Sequence, residues 1–191
     1  MIQEFEFSKT KIPGLIEIMP FTAKDNRGLF IKDYAKETFK SNGLDYIIAE
    51  VFYSSNRIGT LRGLHFQRIK QQAKLVRCLV GHVWDVVVDL RKNSSTFKEW
   101  ISFDLTEENR KEILVPTGCA HGFLAIEESI MVYKCSEKFY GEYDDGIFWN
   151  SKELDILWPL DRVGGEKSLI ISEKDKNLQE FKDFIIKYGG F

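Results

Sequence analysis

Apolar residues along this chain alternate with polar ones in short runs far more often than they recur at helical spacing. Leu15-Ile16-Glu17-Ile18, Leu29-Phe30-Ile31, Tyr46 to Tyr53, Lys74 to Val80, Val83 to Leu90, Trp100 to Leu105, Ile113 to Val115, His121 to Ile126 and Ile130 to Cys135 read as strands. Turn-forming stretches separate them: Pro13-Gly14, Phe21 to Gly28, Ser54 to Gly59, Gly81-His82, Lys92 to Thr96, Thr106 to Lys111 and Pro116-Thr117-Gly118. Two neighbouring pairs, 74–80 with 83–90 and 121–126 with 130–135, are expected to be hairpins. Phe139 to Trp149 reads as an aromatic-rich loop. Helical signals are few. One covers Ala35 to Ser41, stopped by Asn42-Gly43. The other is the tail, where Leu178, Phe181, Phe184 and Ile185 form a stripe behind Ser172 and Asp175, a pair spaced like a capping box. The pattern predicts one all-β domain over 1–191, a β-sandwich or jelly roll with a C-terminal helix.

The run Val83 to Leu90 carries more information than its neighbours. Side chains alternate on a strand, so Trp84, Val86, Val88 and Leu90 share one dry face. Val83, Asp85, Val87 and Asp89 share the other. If that second face meets solvent, its acids are ordinary. If it lines the inside of a sandwich, they need partners and suggest a polar cavity.

Composition narrows the class. The 191 residues are 43% hydrophobic and 14% aromatic, which suits a globular domain. A net charge of −2 gives no general positive field for nucleic acid, although a local Arg and Lys cluster can still hold a phosphate. Cys78, Cys119 and Cys135 are odd in number and widely spaced, so no disulfide framework is expected, and a reducing, cytoplasmic location is. No signal-like start and no apolar run long enough for a membrane span is evident.

Chemistry centres on Arg62-Gly63-Leu64-His65-Phe66-Gln67. His65, taken alone, fits either a packed histidine or an acid/base group. There is no His-x-His, His82 is expected exposed in a turn, and His121 lies far from His65 in sequence, so no metal is expected. Cys119 stands two residues before His121, but nothing near it in sequence depresses a thiol pKa, and it reads as a packing residue. His65, His121, Tyr133, Lys74 and several arginines and aspartates are the ingredients of cofactor-free proton abstraction beside a carbonyl.

Strings then supply a resemblance. Arg62 to Gln67, Lys74-Leu75-Val76-Arg77, Gly81-x-Val83-x-Asp85-Val86-x-Val88-Asp89-x-Arg91, Ser95-Thr96-Phe97, Ala120-His121-Gly122-Phe123, Tyr133-Lys134, Trp149-Asn150 and Lys174-Asp175 occur in the order seen in dTDP-4-dehydrorhamnose 3,5-epimerases. The chain resembles that family from about Ile12 to Asp175. The resemblance implies a cupin jelly roll, a homodimer, no cofactor, and epimerisation at C3 and C5 of a nucleotide-linked 4-keto-6-deoxy sugar. It implies His65 as general base with Asp175 as its carboxylate partner, Tyr133 as general acid on the opposite face, and Lys74 at the C4 oxygen. It also implies that Arg27, Arg62, His121 and Lys174 hold the sugar nucleotide. Phe139 matches an aromatic that stacks on the base, and Asp144 stands where a glutamate is usual.

Two departures bear on recognition. Lys32 stands where the family usually has a glutamate, and Glu50-Val51-Phe52 stands where it often has Gln-Asp-Asn. The alternatives they raise are a 3- or 5-monoepimerase on another sugar or nucleotide (GDP or CDP), or a binding module without catalysis. Arg62 and His65 also fall on opposite faces of a regular strand, so a bulge at Gly63 is expected if both reach one ligand.

Overall fold

The computed structural model describes residues 4–191. Its elements in order are β1 (Glu6–Lys9), β2 (Ile16–Met19), β3 (Phe21–Asp25), β4 (Gly28–Lys32), α1 (Lys36–Ser41), β5 (Glu50–Asn56), β6 (Leu61–Gln67), β7 (Lys74–Val80) and β8 (His82–Asp89). There follow β9 (Trp100–Thr106), β10 (Glu112–Val115), β11 (Cys119–Ala125), β12 (Ser129–Cys135), β13 (Asp144–Gly146), α2 (Glu173–Lys176) and α3 (Phe181–Tyr188). Two antiparallel sheets form the sandwich, with strand orders β1-β2-β10-β7-β12-β5 and β13-β6-β11-β8-β9. β3 and β4 make a separate two-stranded ribbon.

The expected hairpins are not hairpins. β7 and β12 lie in the six-stranded sheet, whereas β8 and β11 lie in the five-stranded one. The tight connections therefore turn corners between sheets, which is what gives the sandwich its jelly-roll character. Gly81 makes this possible: its φ is +74°, and a Cβ there would sit 2.0 Å from the Glu128 carbonyl oxygen of the other corner.

This topology decides the face of β8. Val83 and Val87 join Val76, Cys78, Leu105, Phe123, Met131, Tyr133 and Cys135 in the core between the sheets. Trp84, Val86, Val88 and Leu90 join a second core under the C-terminal segment, with Trp149, Trp158, Phe181 and Phe184. Asp85 and Asp89 are thus interior acids, and both have partners. Asp89 accepts from Arg91 Nε and Nη2 (both 2.8 Å), Ser94 Oγ (2.6 Å) and Thr96 Oγ1 (2.7 Å). Burial alone would raise its pKa, but those bonds outweigh burial and hold it below the ordinary carboxylate value. A depressed folded pKa stabilises the fold above the unfolded value of about 3.9, and this contribution disappears as pH falls through the folded value. Asp89→Asn is expected to cost about 2 kcal/mol at neutral pH and less in strong acid, where the wild-type carboxyl is also neutral. Thermal melts at the two pH values check this.

Several local expectations are corrected. Phe21 to Asp25 is a strand, not a loop, because it pairs with β4 across a turn at Asn26-Arg27. The strand expected from Tyr46 begins at Glu50 and runs through Ser54 and Ser55, which pair with Met131 and Ile130. Tyr46 instead tucks beneath the outer face of the six-stranded sheet, its hydroxyl donating to the Lys134 carbonyl. The 139–149 loop contains β13, which pairs with β6. The expected C-terminal helix is present as α3, but the stretch from Ser172 forms a separate short α2, because the Gln179 carbonyl accepts from Phe148 N (2.8 Å) and interrupts the helical run. His82 is not exposed in a turn: it opens β8, and its largely covered ring bonds Asp104 (2.5 Å) with Arg162 alongside.

Candidate active site

β6 supplies the central residues, and its backbone explains how. His121 pairs with His65 and Phe123 with Arg62, so two steps on β11 oppose three on β6. The extra residue is at Gly63, whose φ is +128°. A Cβ at Gly63 would stand 2.6 Å from Gly122 Cα, so only glycine fits. The bulge re-aims the strand, and Arg62 and His65 line the same cavity despite their i, i+3 spacing.

The bulge also organises the carboxylate. Asp175 Oδ1 bonds His65 Nε2 (2.9 Å), and Asp175 Oδ2 accepts from Gly63 N (3.1 Å). Ser172 Oγ caps α2 by accepting from Asp175 N (3.1 Å). The reciprocal half of a capping box is absent, because the Asp175 side chain is turned to His65. Burial pushes the Asp175 carboxyl up, but the bonds to His65, Gly63 and Ser172 bring it below its ordinary value. An ionised Asp175 accepts the Nε2 proton and leaves Nδ1 of His65 as the basic nitrogen.

Arg62, His65, Lys74, His121, Tyr133, Ser54 and Phe52 line one cavity of about 500 Å3 at an end of the sandwich interior. Burial lowers the Lys74 pKa and raises that of Tyr133. Lys74 is thereby a better proton donor than a solvated lysine, and Tyr133 keeps its proton. A second cavity of about 230 Å3 shares Phe52, His65 and Lys74 and continues to Phe139, Asp144 and Lys174. Lys174 and Asp144 form an ion pair at its rim. Nine of the ten candidate residues therefore meet in two adjoining cavities or, for Asp175, directly behind them. Arg27 does not. It sits at the tip of the β3–β4 ribbon, paired with Asp25 (2.6 Å) and largely exposed.

Three partners escaped the sequence. Asp85 Oδ2 bonds His121 Nε2 (2.8 Å), and both residues are buried. Their signal was the acid between two core valines of β8. Asn56 Oδ1 accepts from Arg62 Nε (2.9 Å), and Phe52 stacks on Tyr133. Neither contact has a local sequence signature: the stack depends on β12 lying beside β5, and the Asn56–Arg62 bond on β5 and β6 of opposite sheets coming together. Cys119 is buried, and burial pushes its thiol up to about 12, so it is a packing residue. Among the described residues no three His, Cys, Asp or Glu side chains gather as a metal-binding group. Nor is any described helix long and apolar enough to cross a membrane.

A jelly roll whose interior opens onto a His–Asp pair, a lysine and a buried tyrosine defines a cupin-type protein with an acid/base site. Comparison with known proteins narrows the class. Residues 9–183 match the family model for dTDP-4-dehydrorhamnose 3,5-epimerase. The chain is 46% identical over 181 residues to the enzyme of that name from Methanothermobacter thermautotrophicus, covering 94% of this chain and 96% of the relative. The Legionella pneumophila dTDP-6-deoxy-D-glucose-3,5-epimerase, solved in complex with dTDP-4-keto-L-rhamnose, superposes with a TM-score of 0.88 at 32% identity, covering 94% of each chain. ChmJ, a 3'-monoepimerase from Streptomyces bikiniensis solved with dTDP-quinovose, gives 0.85 at 28% identity, covering 94% of this chain and 89% of that one. The chain belongs to the dTDP-4-dehydrorhamnose 3,5-epimerase family.

Proposed function

We propose that this chain inverts C3 and C5 of dTDP-4-dehydro-6-deoxy-D-glucose, giving dTDP-4-dehydro-L-rhamnose, by acid/base chemistry without a cofactor. The observation that carries the reading is the His65–Asp175 pair facing the cavity that Tyr133 and Lys74 also line. The C4 ketone makes the adjacent C–H bonds acidic. His65 Nδ1 takes the proton, the C–H electrons move into the C4 carbonyl, and Lys74 stabilises the oxyanion. Tyr133 then delivers a proton to the opposite face as the enolate collapses, and the stereocentre is inverted. His65 loses its proton to solvent and Tyr133 regains one from it, so each inversion leaves a solvent hydrogen on carbon. Arg62, His121 and Lys174 hold sugar and pyrophosphate oxygens, Phe139 stacks on the base, and Asp144 orients Lys174.

The assembly in this reading is a homodimer. The β3–β4 ribbon belongs to neither sheet and exposes Leu29 and Phe30, which are 46% and 57% accessible. A free two-stranded ribbon is marginally stable in water, so a second copy is its natural cover, and Arg27 then serves from the ribbon tip. Sedimentation is expected to give a species of twice 22.2 kDa; a monomer at working concentration contradicts this. The reading also places the protein in the cytoplasm, in keeping with three free, buried thiols.

Product analysis tests the function. NMR of the sugar after incubation is expected to show inversion at C3 and C5, and an unchanged sugar overturns the proposal. Inversion at only one of the two carbons would make the chain a monoepimerase instead. Tyr133→Phe is expected to slow inversion about 10²-fold or more while slowing proton loss much less.

A further inference from the structure

We infer that Phe52 is a positioning residue for Tyr133, setting how often proton loss is followed by inversion; this rests on the epimerase reading above. Phe52 and Tyr133 are directly paired in register on β5 and β12, so their side chains leave the same face. Their ring centroids are 4.7 Å apart and their planes only 14° from parallel, an offset stack. The edge of the His121 ring, 6.2 Å away at 76°, meets the tyrosine as well. Ser54 follows on the same face of β5 and lines the same cavity as Tyr133. The tyrosine ring is therefore held by Phe52 and His121 while the residue lines the cavity.

Packing of the fold does not explain Phe52. It is 40% exposed on an edge strand and belongs to none of the cores. It lines both cavities, at their junction with His65 and Lys74. An amide at this position would offer hydrogen bonds to a ligand but no face for the tyrosine to stack on. In this chain the position exchanges polar recognition for control of the acid. A phenol free to swing away cannot protonate the far face before the carbon regains hydrogen from the side of His65, so loss of the stack converts inversion into simple exchange.

The test runs the reaction in deuterated solvent and measures, by NMR, the ratio of deuterated but uninverted substrate to inverted product. Phe52→Ala is expected to raise that ratio three- to tenfold, the scale of one aromatic pair. Phe52→Trp is expected to restore the wild-type ratio. In a Tyr133→Phe background, Phe52→Ala is expected to add nothing. A ratio unchanged in Phe52→Ala, with only KM raised, makes Phe52 a substrate wall and overturns the inference while leaving the epimerase reading intact. A further rise in the Tyr133→Phe background also overturns it, since the effect would not pass through the phenol. Wild-type protein that neither exchanges nor inverts removes the reading itself.

Discussion

Replacing His65 by asparagine is expected to lower kcat by about 10³-fold and to abolish hydrogen exchange at both C3 and C5. The loss should be common to the two carbons, because the proposed mechanism gives both inversions one base, His65, in the cavity that Arg62, Lys74 and Tyr133 also line. Nε2 bonds Asp175 at 2.9 Å, so in the proposed mechanism the free Nδ1 takes the proton, and an asparagine amide cannot replace it. Asp175→Asn probes the same pair from behind. Its amide oxygen keeps the Gly63 N–H, so its NH2 faces Nε2 and favours the tautomer with the proton on Nδ1, and a loss of about 10²-fold with substrate binding retained is expected. Steady-state kinetics separates these outcomes. Retained exchange in His65→Asn would remove the assignment of the base.

Gly63→Ala is expected to damage stability and activity together. The new Cβ would meet Gly122 Cα at 2.6 Å and the His121 carbonyl oxygen at 3.1 Å, both backbone atoms of the paired strand. Backbone cannot rotate aside as a side chain can. The φ of +128° is itself unfavourable for alanine. A cost of about 3 kcal/mol in unfolding free energy is expected from conformation and overlap together. Any relief by shifting β6 would move the Gly63 N–H from Asp175 and disturb the His65 ring, so activity should fall even at temperatures where the variant is folded. Denaturant unfolding and kcat measured on the same preparation test both halves. Wild-type stability in Gly63→Ala would contradict the bulge geometry.

The strands of this fold were legible wherever alternation was regular, as in β7, β8 and β12, but whether the acids of β8 faced solvent or the interior stayed open until the sheets were placed. What remained hidden was partnership. Tight turns at Gly81 and at Glu127-Glu128 look like hairpin turns locally, yet they join strands of opposite sheets, and no short-range pattern encodes that choice. The ribbon strand β3 escaped for a related reason: Lys24 and Asp25 read as turn chemistry, while the true turn is Asn26-Arg27. In the candidate site, His65, Lys74, Tyr133 and Asp175 were proposed from ordered strings rather than spacing, since His65 and Asp175 are 110 residues apart. The contacts of Asp85 with His121, Asn56 with Arg62 and Phe52 with Tyr133 became visible only in the folded structure.

The most direct test of the account is solvent deuterium incorporation by the wild-type protein acting on dTDP-4-dehydro-6-deoxy-D-glucose. Removal of a proton by His65 and return of a solvent-derived one by Tyr133 predict one deuterium at C3 and one at C5 of the inverted product. Inverted product that carries no deuterium, or a substrate that neither exchanges nor inverts, would contradict it.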